Sequence, residues 1–242
     1  MRPPRVPPRR QSGQPLSGGR PEPLLKDEEP ALRFVETGTG AGAGAGARLA
    51  PVPGPALRVG DWRAARTPAG AFRLVPVRVE RDLSLVGRWM NDPAVAAFWE
   101  LAGPERVTAR HLREQLADDG HSVPCLGVLE GRPMSYWEIY RADLDSLAGH
   151  YPARPYDTGI HLLIGGAADR GRGLGSLLLR AVADLVLAGS PACARVVAEP
   201  DLRNVPSVAA FLSAGFRFFT ELELPAKRAA LMVRDRGLRD LL

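Results

Sequence analysis

The sequence has 242 residues, 45% of them hydrophobic, and a formal net charge of +5. That is enough chain for one domain with a substantial core, and no stretch approaches the length of apolar run that a membrane span requires. The charge is unevenly placed: residues 1–70 hold 11 Lys and Arg against 6 Asp and Glu, whereas residues 71–242 hold 21 of each. The folded part therefore gains little support as a nucleic-acid or membrane binder.

Residues 1–70 are rich in Pro, Gly, Ala and Arg, and "GTGAGAGAGARLAPVPGPA" is of low complexity. Alternating Gly and Ala offers little apolar surface to offset the entropy lost on folding. A disordered tail is expected over 1–70 and a folded domain over 71–242. The opening "MRPPRVPPRRQSGQPLSGG" has no apolar run behind its charges and makes a poor signal peptide, so a cytoplasmic protein is expected. Cys125 and Cys193 stand in no zinc or redox spacing and read as buried small hydrophobes.

From Ala71 the texture changes. "FRLVPVRV" alternates as a strand does. "DLSLVGRWMNDP" reads as a short helix stopped by Asn91 and Pro93, and "TARHLREQLADDG" as a second, with Thr108 as its N-cap and Gly120 as its stop. "VPCLGVLEGRPMSYWEIYRA" is two strands joined at Glu130-Gly131-Arg132. "GIHLLIG" is a short buried strand, and "RGRGLGSLLLRAVADLVLAG" a helix entered through a glycine turn and ended at Gly189. "ARVVAE" is a strand, "DLRNVPSVAAFLSAGF" a loop and helix, and "FRFFTELEL" and "AALMVRDR" are final strands. This order predicts an α/β or α+β mixed sheet with helices on its faces.

The glycine turn follows a strand and opens a helix. A helix N-terminus leaves N–H groups unpaired and carries partial positive charge, and glycines let a ligand approach that backbone. A phosphate suits the place, with Arg170 and Arg172 adding charge. A plain turn is the competing reading. A nucleotide-triphosphate loop lacks its lysine here, and Gly171-x-Gly173-x-Gly175 does not fit the dinucleotide spacing.

Arg170, Gly171, Gly173 and Gly175 resemble the pyrophosphate-binding motif of the GNAT acyl-coenzyme A N-acyltransferases. "LVGRWMNDPAVAAFWE", "MSYWEIYRAD", "HYPARPYDTGIHLLIG", "RVVAEPDLRN" and "ELPAKRAALM" together are similar to the siderophore-biosynthesis lysine N-acyltransferases of mycobactin, aerobactin and rhizobactin type. The resemblance covers about residues 72–236 and leaves the tail outside it.

It implies the GNAT fold, a central mixed and mostly antiparallel sheet splayed at its middle with helices on both faces. It also implies acyl transfer from an acyl-coenzyme A, or from the phosphopantetheine arm of an acyl-carrier protein, to the N6 nitrogen of a lysine or N6-hydroxylysine. With the N-hydroxylated nitrogen the product is a hydroxamate. The acceptor is then a small amine or hydroxylamine, and a carrier protein or siderophore synthetase is the partner class. On this resemblance the amides of Gly171, Arg172, Gly173, Leu174 and Gly175 hold the diphosphate, and Asn204 lies near the pantetheine arm.

Amine attack on a thioester needs proton removal, a stabilised oxyanion and a departing thiolate. His161 shares a strand face with Leu163, opposite Ile160 and Leu162. A satisfied core histidine is its plain reading; the resemblance puts it at the acyl end of the tunnel, as a neutral base. Asp201 is placed to orient the nucleophile or relay a proton, or else to meet a helix first turn, with Glu199 the alternative acid. The Leu163 amide is the expected oxyanion donor.

Tyr136, Glu138 and Tyr140 share one strand face, and Trp137 and Ile139 the other. Trp137, Tyr140 and Trp99 are candidate walls for the substrate, against a reading as aromatic core. Lys227 is a candidate for a substrate carboxylate, against a solvated lysine. His150, Tyr151 and Asp157 are expected on an acceptor-side loop, and His111 and His121 on the surface. No cluster has metal-ligand spacing, and the reaction needs no metal. Two other functions stay open: acetylation of an aminoglycoside or protein amine, favoured by an acid-lined cleft, and a non-catalytic acyl-coenzyme A-binding module, whose His and Asp would face away from the tunnel.

Overall fold

The computed structural model describes residues 57–117 and 120–241; of the tail expected over 1–70, residues 1–56 lie outside the described residues. In chain order the elements are β1 Ala65–Thr67, β2 Gly70–Pro76, α1 Val79–Met90, α2 Pro93–Trp99, α3 Glu105–Ala117, β3 Ser122–Leu129, β4 Arg132–Arg141, β5 Thr158–Ile164, α4 Leu174–Gly189, β6 Arg195–Ala198, α5 Val205–Ser213, β7 Arg217–Glu223 and β8 Arg228–Asp235. Among the described residues the strands form one eight-stranded sheet in the order β1-β2-β3-β4-β5-β6-β8-β7. Every pairing is antiparallel except β5 with β6. This is the mixed sheet of the α/β or α+β class that the order of elements predicts, and mostly antiparallel as the resemblance implies.

Two elements go beyond the sequence reading. β1 pairs with β2 from Ala65↔Phe72 to Thr67↔Gly70, and Val59 ahead of it is buried. The fold thus begins before the expected boundary at residue 71. Asn91 and Pro93 do end α1, but Pro93 then starts α2 at the first helical position, where its missing N–H costs nothing. Asp92 caps that helix by accepting from the Ala94 amide at 3.0 Å. Thr108 is not an N-cap: α3 starts at Glu105 and Thr108 lies buried inside it.

The β3–β4 hairpin closes as expected. Glu130 (φ 48°) and Gly131 (φ 78°) both take the left-handed conformation that a two-residue hairpin turn requires. In α4, Leu178, Leu179, Val182, Ala183, Val186 and Leu187 are buried, the spacing of one helical face.

The sheet has a helical layer on each side. Val86, Trp89 and Met90 of α1, Val95 of α2 and Leu112 of α3 pack with Leu126, Val128, Tyr136 and Leu163 on what we call the front face. α4 and Phe211 of α5 pack with Phe72, Cys125, Trp137, Ile139, Ile160 and Met232 on the back. Strand alternation sorts β4 accordingly, Tyr136, Glu138 and Tyr140 to the front and Trp137 and Ile139 to the back. No helix among the described residues is long and apolar enough to cross a membrane.

The sheet is continuous except at its middle. β5 and β6 pair only at Thr158↔Val196 and Gly159↔Val197. Beyond Gly159 the two strands part, and the gap between them opens toward the start of α4.

Candidate active site

The glycine turn sits at the mouth of that gap. Gly171 (φ 70°) and Gly173 (φ 76°) are left-handed, and Gly173 is the N-cap of α4, with no side chain capping the helix. A Cβ built on either residue would point into open space. The first-turn amides of α4 therefore face a cradle that side chains would fill. That is the donor set a diphosphate needs, N–H groups at the positive end of a 16-residue helix.

A cavity of about 430 Å³ runs along this turn, lined by Phe98, Leu162, Ile164, Gly171, Gly175 and Asn204 among others. It shares Phe98, Trp99, Leu162, Asn204 and Ser207 with a second chamber of about 360 Å³ that ends at His161, Glu138 and Glu199. Together they form the channel that a phosphopantetheine arm would follow.

His161 is the centre of a buried chain of polar groups. Its Nδ1 lies 2.8 Å from Glu138 Oε2 and its Nε2 2.5 Å from Glu199 Oε1. Glu138 Oε1 is 2.6 Å from His111 Nε2 and accepts from the Tyr136 hydroxyl at 3.0 Å. The Tyr140 hydroxyl donates to Glu199 Oε2 at 2.9 Å, and Lys227 Nζ is 3.7 Å from Glu199 Oε1. Trp99 makes T-shaped contacts with both Tyr136 and His161, at ring-centroid distances of 5.5 and 6.1 Å.

With a carboxylate at each nitrogen, both ring nitrogens carry protons. Burial opposes that charge, but the field of Glu199 and the hydrogen bonds of both glutamates outweigh it and hold the imidazole pKa up at about 10. Burial likewise opposes charge on Glu138, where His111 and His161 prevail, and on Glu199, where His161 prevails; both carboxyls are held down at about 2. The neutral imidazole expected from the sequence is thus replaced by an imidazolium clamped between two carboxylates. Its side chain is one-third exposed, toward the cavities.

The other expected site residues divide. Trp99, Asp201, Asn204 and Lys227 line the chamber with His161. Asn204 is also the N-cap of α5, its Oδ1 accepting from the Ser207 amide at 3.2 Å. Asp201 is turned to Arg203, which donates from its backbone amide and its guanidinium. Tyr140 belongs to the site through Glu199.

Trp137 does not: it is wholly buried behind the sheet, 6.1 Å from the Phe72 ring, with its indole N–H on Ser135. Arg170 is turned inward rather than toward a ligand. It donates to the Ile164 and Gly165 carbonyls at 3.0 and 2.9 Å and pairs with Asp92 at 2.9 Å, tying the glycine turn to α2. Arg172 is exposed beside it.

The Leu163 amide is also misplaced as an oxyanion donor. The Gly165 amide bonds to Met134 of β4, and β4 and β5 keep one register through Tyr136↔Leu163. Backbone alternation then aims Leu163 at β4 and Leu162 into the gap. The loop expected on the acceptor side is a structural anchor: Tyr151 donates to Asp157 at 2.9 Å, and Asp157 is paired with the buried Arg195 at 2.7 Å. His150 is exposed outside the chamber.

His111, read from sequence as a surface residue, is part of the site. Its signal was present: it stands three residues after Thr108 and one before Leu112, both buried, on one face of α3.

A further cavity of about 650 Å³ also reaches this ring, sharing only His161 and Glu138 with the chamber and adding Glu114, Ser122, Tyr140 and Asp145.

A splayed sheet with an amide cradle and a channel ending at a polar cluster defines an acyl-coenzyme A-dependent acyltransferase. The chain belongs to the GNAT acetyltransferases, whose domain model, described as an acetyltransferase (GNAT) domain, matches residues 78–224. It is 37% identical over 166 residues to the lysine N-acyltransferase MbtK of Mycolicibacterium paratuberculosis, covering 68% of this chain and 75% of that protein. It is 38% identical over 155 residues to the N(6)-hydroxylysine O-acetyltransferase of Escherichia coli, covering 64% of this chain but 49% of that protein. Among solved structures it is similar to the aminoglycoside acetyltransferase AAC(6')-Ib in complex with coenzyme A and kanamycin, at a TM-score of 0.60 and 25% identity over 70% of this chain and 96% of that one.

Proposed function

We propose that the protein moves an acyl group from acyl-coenzyme A to the N6 nitrogen of a lysine-type acceptor, in its N6-hydroxy form, in the assembly of a hydroxamate siderophore. The observation that carries this is the position of His161 between Glu138 and Glu199 at the end of the channel from the glycine turn. The names of the two relatives support the acceptor class. The phosphopantetheine arm of an acyl-carrier protein has the same thioester end and is the alternative donor, and a siderophore synthetase is the natural consumer of the product. A coenzyme A donor and two unpaired cysteines support a cytoplasmic reaction.

The chain's residues divide the proton work. A hydroxylamine nitrogen is weakly basic and attacks unprotonated; the C–N bond forms and the nitrogen becomes acidic. Glu199 accepts its proton. The Leu162 amide, aimed into the gap, stabilises the oxyanion. As the C–S bond breaks, the His161 imidazolium gives its Nε2 proton to the thiolate, and Glu199 returns its own proton to the ring. Glu138, braced by His111 and Tyr136, keeps the ring in place, and Asp201, fixed by Arg203, orients the acceptor.

Acid-lined cavities favour one second reading, acetylation of a cationic aminoglycoside. A thiol-release assay over several acyl-coenzyme A donors, with lysine, N6-hydroxylysine and kanamycin as acceptors, separates the two. Turnover is expected with N6-hydroxylysine; turnover with kanamycin alone would overturn the siderophore reading.

A further inference from the structure

The glycine turn is fixed to the body of the fold just ahead of its glycines. Asp169 is buried and takes two bonds from Arg132 at the start of β4, at 2.9 and 2.8 Å. Arg170, next in the chain, holds the carbonyls of Ile164 and Gly165 at the end of β5. Its remaining guanidinium nitrogen, Nη1, reaches Asp92 Oδ1 at 2.9 Å. The same carboxylate oxygen accepts from the Ala94 amide at 3.0 Å and starts α2. One oxygen thus joins the donor turn to the first turn of a helix.

That helix has little else to fix its place. It is seven residues long, too short to be stable alone, and Val95 is its one buried residue. Its inner side nevertheless forms a wall. Ala94, Val95, Phe98 and Trp99 line the donor cavity, and Phe98 and Trp99 continue into the chamber that ends at His161. Beyond the helix, the Asn91 side chain spans to both backbone groups of Gly103, at 2.9 and 3.1 Å. Those bonds close the segment at its base. The Asp92–Arg170 pair is the contact that refers the helix to the donor turn.

We propose that Asp92 is a positioning residue for acyl-chain specificity: through Arg170 it sets where α2 holds the Phe98 and Trp99 rings against the acyl chain of the donor. Asp92 itself lies outside the lining of both cavities. It acts seven residues ahead of Trp99, about 10 Å along the helix. A carboxylate serving only as a cap would need only the Ala94 amide. The second bond, to a guanidinium committed to the turn, gives the aromatic wall a fixed reference. The inference rests on the acyl-coenzyme A reading of the channel and is independent of the acceptor.

The test measures Kd for acetyl- and hexanoyl-coenzyme A by calorimetry on the whole chain, with melting temperature alongside. Asp92→Ser keeps a capping hydroxyl and is too short to reach Arg170; Asp92→Asn keeps the length and loses the charge. The ratio of hexanoyl to acetyl Kd should shift about fivefold in Asp92→Ser and less in Asp92→Asn, in the direction that Trp99→Ala shifts it. Unlinked residues that far apart would add their effects to within about twofold. Linked as proposed, Asp92→Ser should change the ratio by less than about twofold once Trp99→Ala has removed the ring. An equal shift in both backgrounds would overturn the assignment, as would a ratio that Trp99→Ala leaves alone. A lower melting temperature with an unchanged ratio would make Asp92 a structural cap, which also overturns it and leaves the acyltransferase standing. A wild type that binds neither donor would overturn the acyl-coenzyme A reading itself.

Discussion

The Glu199 carboxylate and the His161 imidazolium face each other across 2.5 Å, and the Tyr140 hydroxyl holds the other Glu199 oxygen at 2.9 Å. In the reaction we propose, this pair couples proton removal from the nucleophile to proton delivery at the leaving group. Glu199→Gln keeps the shape and removes the acceptor. It should lower kcat by about 100-fold, at the lower end of what positioned proton transfer contributes, with donor KM little changed. The His161 titration, followed by NMR, should move to lower pH because its largest opposing charge is gone. An unchanged kcat would assign the proton to another group, Asp201 first.

The same cluster links stability to pH. His161 titrates at about 10 in the folded protein, above the ordinary value of about 6.5, so its contribution is complete below about pH 6.5 and fades as pH rises through 10. Glu138 and Glu199 run the opposite way. Both are held at about 2 against an ordinary 4.5, so their contribution is present above 4.5 and is lost as pH falls toward 2. Melting temperature should fall on both sides of a neutral plateau. His161→Gln should flatten the alkaline decline, and an alkaline limb as steep as wild type would remove the ring from the account.

At the glycine turn, backbone strain and ligand obstruction are separable. Gly173→Val forces a β-branched residue to φ 76°, which should cost about 1–2 kcal/mol of stability, and it should also weaken coenzyme A binding. Gly173→Asn tolerates that conformation better and still fills the cradle. Its melting temperature should stay nearer wild type while its Kd for coenzyme A rises, by calorimetry. Full affinity in Gly173→Asn would mean the open space beside the turn is not the diphosphate site.

Trp137 and Trp99 should behave as opposites. Trp137→Ala empties a fully buried position and should destabilise by about 3–5 kcal/mol, measured by urea unfolding. Trp99→Ala, on the chamber wall, should alter the preference among acyl chain lengths with a smaller change in stability. A Trp137 variant that changed chain-length preference at unchanged stability would reverse the two roles.

Much of this was legible in the sequence because periodicity and turn chemistry are local. The Glu130-Gly131 hairpin, the apolar face of α4 and the alternation along β4 needed no tertiary information. That alternation already separated Trp137 from Tyr140, so both could not face one substrate; the aromatic character of each drew the reading away from the parity. What sequence could not supply was direction. Arg170 sits beside the glycines in the chain, but Asp92, 78 residues earlier, turns it inward. Asp201 looked better placed than Glu199 until Arg203 occupied it. His161 read as a neutral base because its two carboxylates come from β4 and from just beyond β6, and only the folded sheet brings them to the ring.

The gap after Gly159 has a consequence for the molecule's history as well as its chemistry. Backbone groups that a closed sheet would have satisfied are held in reserve, so the catalytic channel is a place where the chain forgoes cohesion. Substitutions that drew β5 and β6 together would make a sturdier protein with nowhere to put a thioester. Screens for heat resistance alone should therefore enrich inactive, zipped variants, and robust active ones should carry their changes on the back layer around α4, away from the seam.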